Sequence, residues 1–275
     1  MNRILVVGGD RRALKLAHLL RRDGHWVKTA GLNEGDTNEI HIHQADAVLF
    51  PYPFSVKAGY VPTLTDERIQ PEAILSCMKK NALILSGAGL EGYVPQHSFQ
   101  LMRYTDAKAF EMRNAELSAE AAVCEAMLHG RLALMDMNVL VTGYGLFGRA
   151  LAVKMRRLGA SVWIAARREQ QRRQAEEDGM HSASFQELET LIPQMDMILN
   201  TVPAPVLNER HLKLIPRGCW LMEMASAPYG FDQEMAKSMG ISCELLPGLP
   251  ARYSPDSAAK ILHDAVVELL GRCGK

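Results

Sequence analysis

Gly143, Gly145 and Gly148 stand in G-x-G-x-x-G spacing directly after the apolar run Val139–Val141. Behind them Phe147, Leu151, Met155 and Leu158 recur at helical spacing, and a further strand-like run opens near Ser161. A strand, a glycine turn and a helix in that order suit the diphosphate of a dinucleotide. The first glycine permits a tight turn, the second lets backbone approach the phosphates, and the third lets helix and strand pack closely. Free N–H groups at the helix start, around Leu146 and Phe147, and the helix dipole attract negative phosphate. A glycine turn used only for packing is the alternative reading of the same residues.

The second strand carries the next signal. Sites for NAD usually place an acidic residue at its end, about 20 residues on, to hold the ribose hydroxyls. Ala166 stands there, followed by Arg167 and Arg168. Without a carboxylate a 2′-phosphate meets no repulsion, and an arginine supplies a forked donor for it. The expected cofactor is therefore NADP(H). A solvated helix start is the competing reading, since Arg172 and Arg173 follow.

Two further loops should leave the same rim of a doubly wound sheet. Asn200-Thr201-Val202-Pro203 follows the run Met197–Leu199, and places Thr201, Val202 and Pro203 beside the nicotinamide half. The run Trp220–Met222 ends in Glu223-Met224-Ala225-Ser226-Ala227-Pro228, which adds Ala225 to the expected cofactor contacts. Glu223 reads equally well as a carboxylate with no chemical role.

These segments need elements to carry them. The chain has 275 residues, 48% hydrophobic and 23% charged, which suits about two folded domains. Short apolar runs alternate with helical patterns in two series. Ile4–Val7, Trp26-Val27, Ala45–Phe50 and Ala82–Leu85 belong to the first, and the glycine motif opens the second. The fold class expected is α/β: an N-terminal flavodoxin- or Rossmann-like domain over 1–130 and an NAD(P)-binding Rossmann domain over 131–253. A cleft between them is expected. Ala107 to about His129 reads as an Ala- and Glu-rich helix. Ser254-Pro255-Asp256 is a helix start, and Ala258, Ile261, Leu262, Ala265, Val266, Leu269 and Leu270 make a stripe of period 3.6. This terminal segment, 254–275, is expected to pack back on the first domain.

Other features read blandly. Gly8-Gly9-Asp10-Arg11 lacks a third glycine and is expected to be a tight turn with a helix cap. His41-Ile42-His43 alternates as a strand edge does. Five scattered cysteines, with no Cys/His cluster at zinc spacing, argue against disulfides or a structural metal and suggest small buried hydrophobes. The fifteen methionines are expected to fill core gaps. Thirty-one basic residues balance thirty-one acidic ones, which gives no support to nucleic-acid binding. No apolar stretch approaches a membrane span, and the N-terminal run is too short for a signal peptide, so a cytoplasmic chain is expected.

The domain order and the Asn-Thr-Val-Pro loop resemble D-2-hydroxyacid dehydrogenases. That family places a catalytic Arg after the fourth strand, then a Glu and a His. Here Ser226 stands at the Arg site, and Leu246–Pro250 offers no histidine. The usual hydroxy-acid chemistry is therefore disfavoured. A narrower resemblance runs over essentially the whole length, to the family of dipicolinate synthase A subunits. It rests on Val7–Arg12, Ser86-Gly87, Asn114–Ala122, the glycine motif, Gly159–Arg167, Met224–Asp232 and Leu246–Pro255. Two departures are Ser118–Ala121, where the family often reads Thr-x-Glu-Gly, and Asp256, where it reads Lys.

The resemblance implies oxidation of dihydrodipicolinate, or its hydrated precursor, to dipicolinate in sporulation. It also implies a partner, the flavoprotein B subunit; a homo-oligomer is expected. Candidates for binding two carboxylates and accepting a proton are Ser86, Ser118, Glu120, Ser226, Arg252 and Tyr253. Glu120, Ser226 and Arg252 are the candidate catalytic residues, with no metal. Glu120 reads first as a solvent-facing helix residue, and Arg252 equally as a solvated loop arginine. The rival functions are a non-catalytic NADP-binding scaffold and another NADP-dependent dehydrogenase of small keto or imino acids.

Overall fold

A computed structural model describes residues 2–33, 39–94 and 99–273. The chain divides into two compact units, one of Met1–Asn114 with Ala251–Lys275 and one of Ala115–Pro250.

In the first unit the chain runs β1 (Arg3–Val7), α1 (Arg11–Arg22), β2 (Trp26–Ala30), α2 (Glu39–Gln44), β3 (Ala47–Leu49), α3 (Pro71–Cys77), β4 (Leu83–Ser86) and β5 (Gln100–Arg103). The strands pair in parallel in the order β2-β1-β3-β4-β5, the flavodoxin-like arrangement. Ile4–Val7, Ala47–Leu49 and Leu83–Leu85 are all buried, as parallel strands covered on both faces require. The glycine pair after β1 forms a tight turn with positive φ at Gly8 and Gly9, and Asp10 caps α1 by accepting from the Arg12 amide. His41 and His43 lie in α2, not on a strand edge. A period of two over three residues fits a short helix as readily as a strand.

α4 (Phe110–His129) begins in the first unit and continues in the second. The second unit continues with β6 (Asn138–Thr142), α5 (Leu146–Arg157), β7 (Ser161–Ala165), α6 (Glu169–Glu177), β8 (His181–Ala183) and α7 (Leu188–Leu191). It ends with β9 (Met197–Asn200), α8 (Glu209–Lys213), β10 (Trp220–Glu223), α9 (Gln233–Ser238) and β11 (Ser242–Leu245). Six parallel strands stand in the order β11-β10-β9-β6-β7-β8, which is the 3-2-1-4-5-6 dinucleotide-binding order read from its far edge. The order reverses between β6 and β9. That switch point is where such sheets take ligands, at the carboxyl ends of the strands.

α10 (Leu249–Tyr253) leads into α11 (Pro255–Cys273), which packs along α1 in the first unit, as the apolar stripe requires. Ala258, Ala259, Ile261, Leu262, Ala265, Val266 and Leu269 are buried, and ion pairs Lys15–Asp256 and His263–Asp23 flank the contact. No disulfide forms among the cysteines, but only Cys219 is fully buried and Cys273 is exposed in the last turn of α11. Met112, Met127, Met135 and Met239 are also exposed, so the methionines do not all fill core. No helix among the described residues is long and apolar enough to cross a membrane.

Leu269 is fully buried, so Leu269→Ala should destabilise the protein by about 2–5 kcal/mol through lost transfer energy and the cavity left behind. Urea unfolding measures this; an unchanged midpoint would mean that the helix is not docked.

Candidate dinucleotide-binding site

The loop after β6 holds the three glycines, and each makes a different demand. Gly143 has φ +90°, and a Cβ there would stand 2.7 Å from Val202 Cγ2 and 2.8 Å from Thr201 Oγ1. At Gly148 a Cβ would stand 2.5 Å from the Gly143 carbonyl oxygen. Turn geometry and close packing therefore forbid side chains at both. Gly145 is the contrast: φ is −81° and a Cβ there would meet nothing within 4 Å. That glycine faces open space at the head of α5. It is also the N-cap, and it offers the helix no side-chain acceptor. The amides of Leu146, Phe147 and Gly148 have no carbonyl one turn back to bond. A helix start with unspent donors and empty space in front fits a phosphate group.

The rim is fixed by the register of the sheet. Ala165, Thr142, Asn200, Glu223 and Leu245 stand side by side at the last paired position of five adjacent strands. The three central residues are polar and fully buried. Thr142 Oγ1 donates to Asn200 Oδ1 at 2.5 Å, and Asn200 Nδ2 donates to Glu223 Oε1 at 2.7 Å and to the Val202 carbonyl at 3.0 Å. Glu223 also accepts from the Ala225 amide at 2.9 Å and the Gly230 amide at 2.7 Å. One hydrogen-bond chain thus shapes the loops after β9 and β10. Burial pushes the Glu223 carboxyl above the usual carboxylate range, against the N–H donors that pull it down. Thr201 Oγ1 donates to the Thr142 carbonyl at 2.7 Å, which sets Thr201 and Val202 against the glycine turn.

A second set of bonds holds the turn from the other side. Tyr144 lies between the glycines and is buried; its hydroxyl donates to Asp178 at 2.7 Å. Arg149 of α5 donates to both oxygens of the same carboxylate, at 2.7 and 3.0 Å. Gln171 of α6 donates to the Tyr144 carbonyl at 3.2 Å. The Arg149 hydrogen bond holds Asp178 below the usual carboxylate range, while burial and Asp178 push the Tyr144 hydroxyl up. No spacing rule pointed to Tyr144, Asp178 or Gln171. Their side chains meet only once α5 and α6 have docked.

The expected cofactor residues fall into three groups at this rim. Gly143, Gly145, Leu146, Phe147 and Gly148 form the turn and helix head, with Thr201 and Val202 against it. Pro203, Ala225 and Ser226 lie on the next two loops, where Ser226 and Pro203 are exposed. Ala166 is buried at the end of β7, and Arg167 and Arg168 beyond it are exposed. Arg172 is spent on structure, donating to the carbonyls of Ala166 and Arg167. Glu120 is exposed on α4, with Lys154 of the last turn of α5 at 3.5 Å, the end of that helix away from Gly145. Arg252 and Tyr253 belong to the first unit, as does Ser86, which is fully buried.

Comparison with known proteins places this geometry. The description "D-isomer specific 2-hydroxyacid dehydrogenase, NAD binding domain" matches residues 99–238. The chain belongs to this family. Residues 3–103 match the N-terminal domain of the dipicolinate synthase A subunit. The dipicolinate synthase A subunit of Bacillus subtilis is 26% identical over 98% of this chain and 95% of that protein. The crystal structure of the dipicolinate synthase A subunit from Bacillus halodurans superposes with a TM-score of 0.88 at 27% identity, covering 97% of each chain. A Salmonella D-lactate dehydrogenase, at 15% identity and a TM-score of 0.68 over 97% of this chain and 95% of its own, shares the fold. The chain is thus a relative of dipicolinate synthase A subunits with an NAD-binding domain of the dehydrogenase family, which makes a nicotinamide dinucleotide the matching ligand class for the glycine turn.

Gly145→Ala separates binding from folding, because the added methyl meets open space in an allowed conformation. It should lower the melting temperature only slightly, through the poorer N-cap that alanine makes, and weaken nucleotide binding by about tenfold (~1.4 kcal/mol) or more in calorimetric titration. Equal affinity in the variant would show that the space is not where phosphate sits.

Asp178→Asn probes the outer clamp. Its depressed pKa means that Asp178 contributes stability above about pH 4, which is lost as pH falls through the folded-state value. The variant should be about 1 kcal/mol less stable at pH 7, since Arg149 is half exposed and the pair partly screened. That deficit should shrink in urea titrations as pH falls below about 4, the unfolded-state value, and vanish once Asp178 is protonated in the folded chain as well.

Proposed function

We propose that the chain binds NADP(H) and oxidises dihydrodipicolinate, or its hydrated precursor, to dipicolinate during sporulation. It would do so in the cytoplasm, partnered by a flavoprotein B subunit. The observation that carries the cofactor choice is at the end of β7. Ala166 is buried where an NAD site would hold a carboxylate, and Arg167 and Arg168 are exposed beside it, with no ion pair among the described residues. The substrate is supported by the full-length similarity to dipicolinate synthase A subunits.

In this reading the amides of Leu146, Phe147 and Gly148 bind the diphosphate, and Arg167 and Arg168 bind the 2′-phosphate by forked, charge-assisted bonds. Thr201, Val202, Pro203 and Ala225 border the nicotinamide half. When bound, the nicotinamide supplies a two-electron, hydride-accepting ring. The protein's own task is modest, because oxidising a dihydropyridine gains aromaticity. It must orient the ring, hold two carboxylates and take up one proton. Ser226, exposed on the loop that Glu223 shapes, is the rim candidate for a carboxylate, while Glu120 and Arg252 stay candidates for proton uptake and carboxylate binding. A homo-oligomer is supported by exposed apolar side chains on the second unit, among them Met127, Leu128, Met135 and Leu158.

A second reading has a specific observation behind it. Glu223, the carboxylate of the rim chain, is sealed from solvent and engaged at both oxygens, so it is not placed to accept a proton. A chain that binds NADP and organises its flavin-bearing partner would need no such group.

Mixing purified chain with dihydrodipicolinate and NADP should form NADPH, seen as absorbance growth. Binding of NADP without turnover until the partner is added would favour the scaffold. Ala166→Asp with Arg167→Ser should move affinity from NADP towards NAD by about tenfold or more, by removing a charge-assisted bond and adding like-charge repulsion. Unchanged affinities for both nucleotides would overturn the arginine assignment.

A further inference from the structure

We infer that Glu125, His129 and Glu244 form a binding site for one divalent transition-metal ion of the zinc class. Glu125 and His129 are four residues apart on α4, so their side chains project from one face. Glu244 comes from β11, the outermost strand of the second sheet. One ligand atom from each of the three lies within 4.8 Å of the others. All three residues belong to the second unit, and none is part of the glycine-turn site.

The distances favour a metal over a plain ion pair. His129 Nε2 stands 3.3 Å from Glu125 Oε2 and 3.2 Å from Glu244 Oε2. An imidazole Nε2 has one hydrogen or one lone pair, so it can donate to one of those carboxylates and not to both. Glu125 is only 2% exposed, so its carboxylate sits where the desolvation of charge is costly and a close cation is favoured. A divalent ion balances both carboxylates and takes the imidazole lone pair as well. Ligands at about 2.0–2.1 Å from a tetrahedral centre lie ~3.3 Å from one another, which is the spacing of His129 Nε2 from each of the two carboxylates.

One nitrogen and two carboxylate oxygens select the zinc class over magnesium or calcium, which prefer six or more oxygens. His129 and Glu244 are partly exposed, with side-chain accessibilities of 28% and 37%, so water can fill a fourth position. The ring of Trp220 lies with its centroid 4.2 Å from that of His129. It orients the imidazole and provides a reporter. An ion held here would pin the carboxyl end of α4 to the sheet's edge strand.

The test uses full-length protein stripped with chelator, then titrated with Zn²⁺ by calorimetry and with Co²⁺ by absorption and Trp220 fluorescence. One ion per chain is expected, with a cobalt spectrum typical of nitrogen and oxygen ligands. His129→Gln and Glu244→Gln should each weaken binding by at least the roughly 10–100-fold that losing even an outer-shell partner costs. Glu244 is partly exposed, so its variant keeps the fold intact and circular dichroism can verify this. The inference is overturned by absence of saturable binding, by affinities that both variants leave unchanged, or by a thiolate charge-transfer band that traces the metal to the free cysteines. Nucleotide affinity is not part of this readout, so the two assignments stand or fall separately.

Discussion

The second unit depends on a buried hydrogen-bond chain running across the strand ends, from Thr142 through Asn200 to Glu223. Three polar side chains with no solvent exposure would be destabilising if any donor or acceptor were left open. Here each answers the next, and the final carboxylate collects backbone amides from the loop that follows it. Because neighbouring strands hold these residues in register, the loops after β9 and β10 are positioned by the same row of the sheet that launches the glycine turn. Fully satisfied polar networks of this sort specify one arrangement where an apolar contact would tolerate several. Gly230 completes the arrangement, since a Cβ there would stand 2.3 Å from Asn200 Nδ2.

With the rim fixed from one side by this chain and from the other by Tyr144, Asp178 and Arg149, little freedom remains in the glycine turn. Preorganised amides lose less entropy on binding an anion than a mobile loop would. The charge pattern follows the same division. The buried acid lies at the strand end next to β9, while the exposed guanidinium groups lie past β7, on the opposite side of the switch point. A ligand carrying its phosphates towards β7 would thus meet positive charge and open amides, with the buried carboxylate kept away from it.

Much of this was legible in the chain itself, and the reasons differ by element. β1, β3, β4, β6, β7, β9 and β10 are short runs of Val, Ile, Leu, Ala and Met because both faces of a parallel strand are covered, and such runs stand out between polar loops. β5 and β8 did not stand out. Gln100–Arg103 and His181–Ala183 are edge strands, half exposed and mixed in composition, and carry no apolar run. The glycine turn was legible because its demands are local in sequence. The rim chain was legible only in part: Asn200 and Glu223 open the two expected rim segments but are the last residues of β9 and β10, and their bond depends on a strand register that no local pattern announces. The Glu125–His129–Glu244 cluster was invisible for the same reason, as spacing rules test neighbours along the chain and Glu244 arrives from another element.

The two units share a parallel sheet, a first strand followed by glycine and a helix beginning just beyond, yet they use that corner in opposite ways. After β1 the Gly9 amide is spent on the Pro62 carbonyl at 2.6 Å, and a Cβ at Gly8 would stand 2.6 Å from the same oxygen. Asp10 then caps α1 and takes a forked bond from the Arg12 side chain, so a negative group already occupies the head of the helix. After β6 the cap is Gly145, no side chain answers the helix amides, and the space in front is empty. Both corners begin with a glycine of positive φ, Gly8 and Gly143. What separates them is whether the positive end of the helix is neutralised by the protein or left for an anion, and one residue at the cap position, Asp10 against Gly145, decides it.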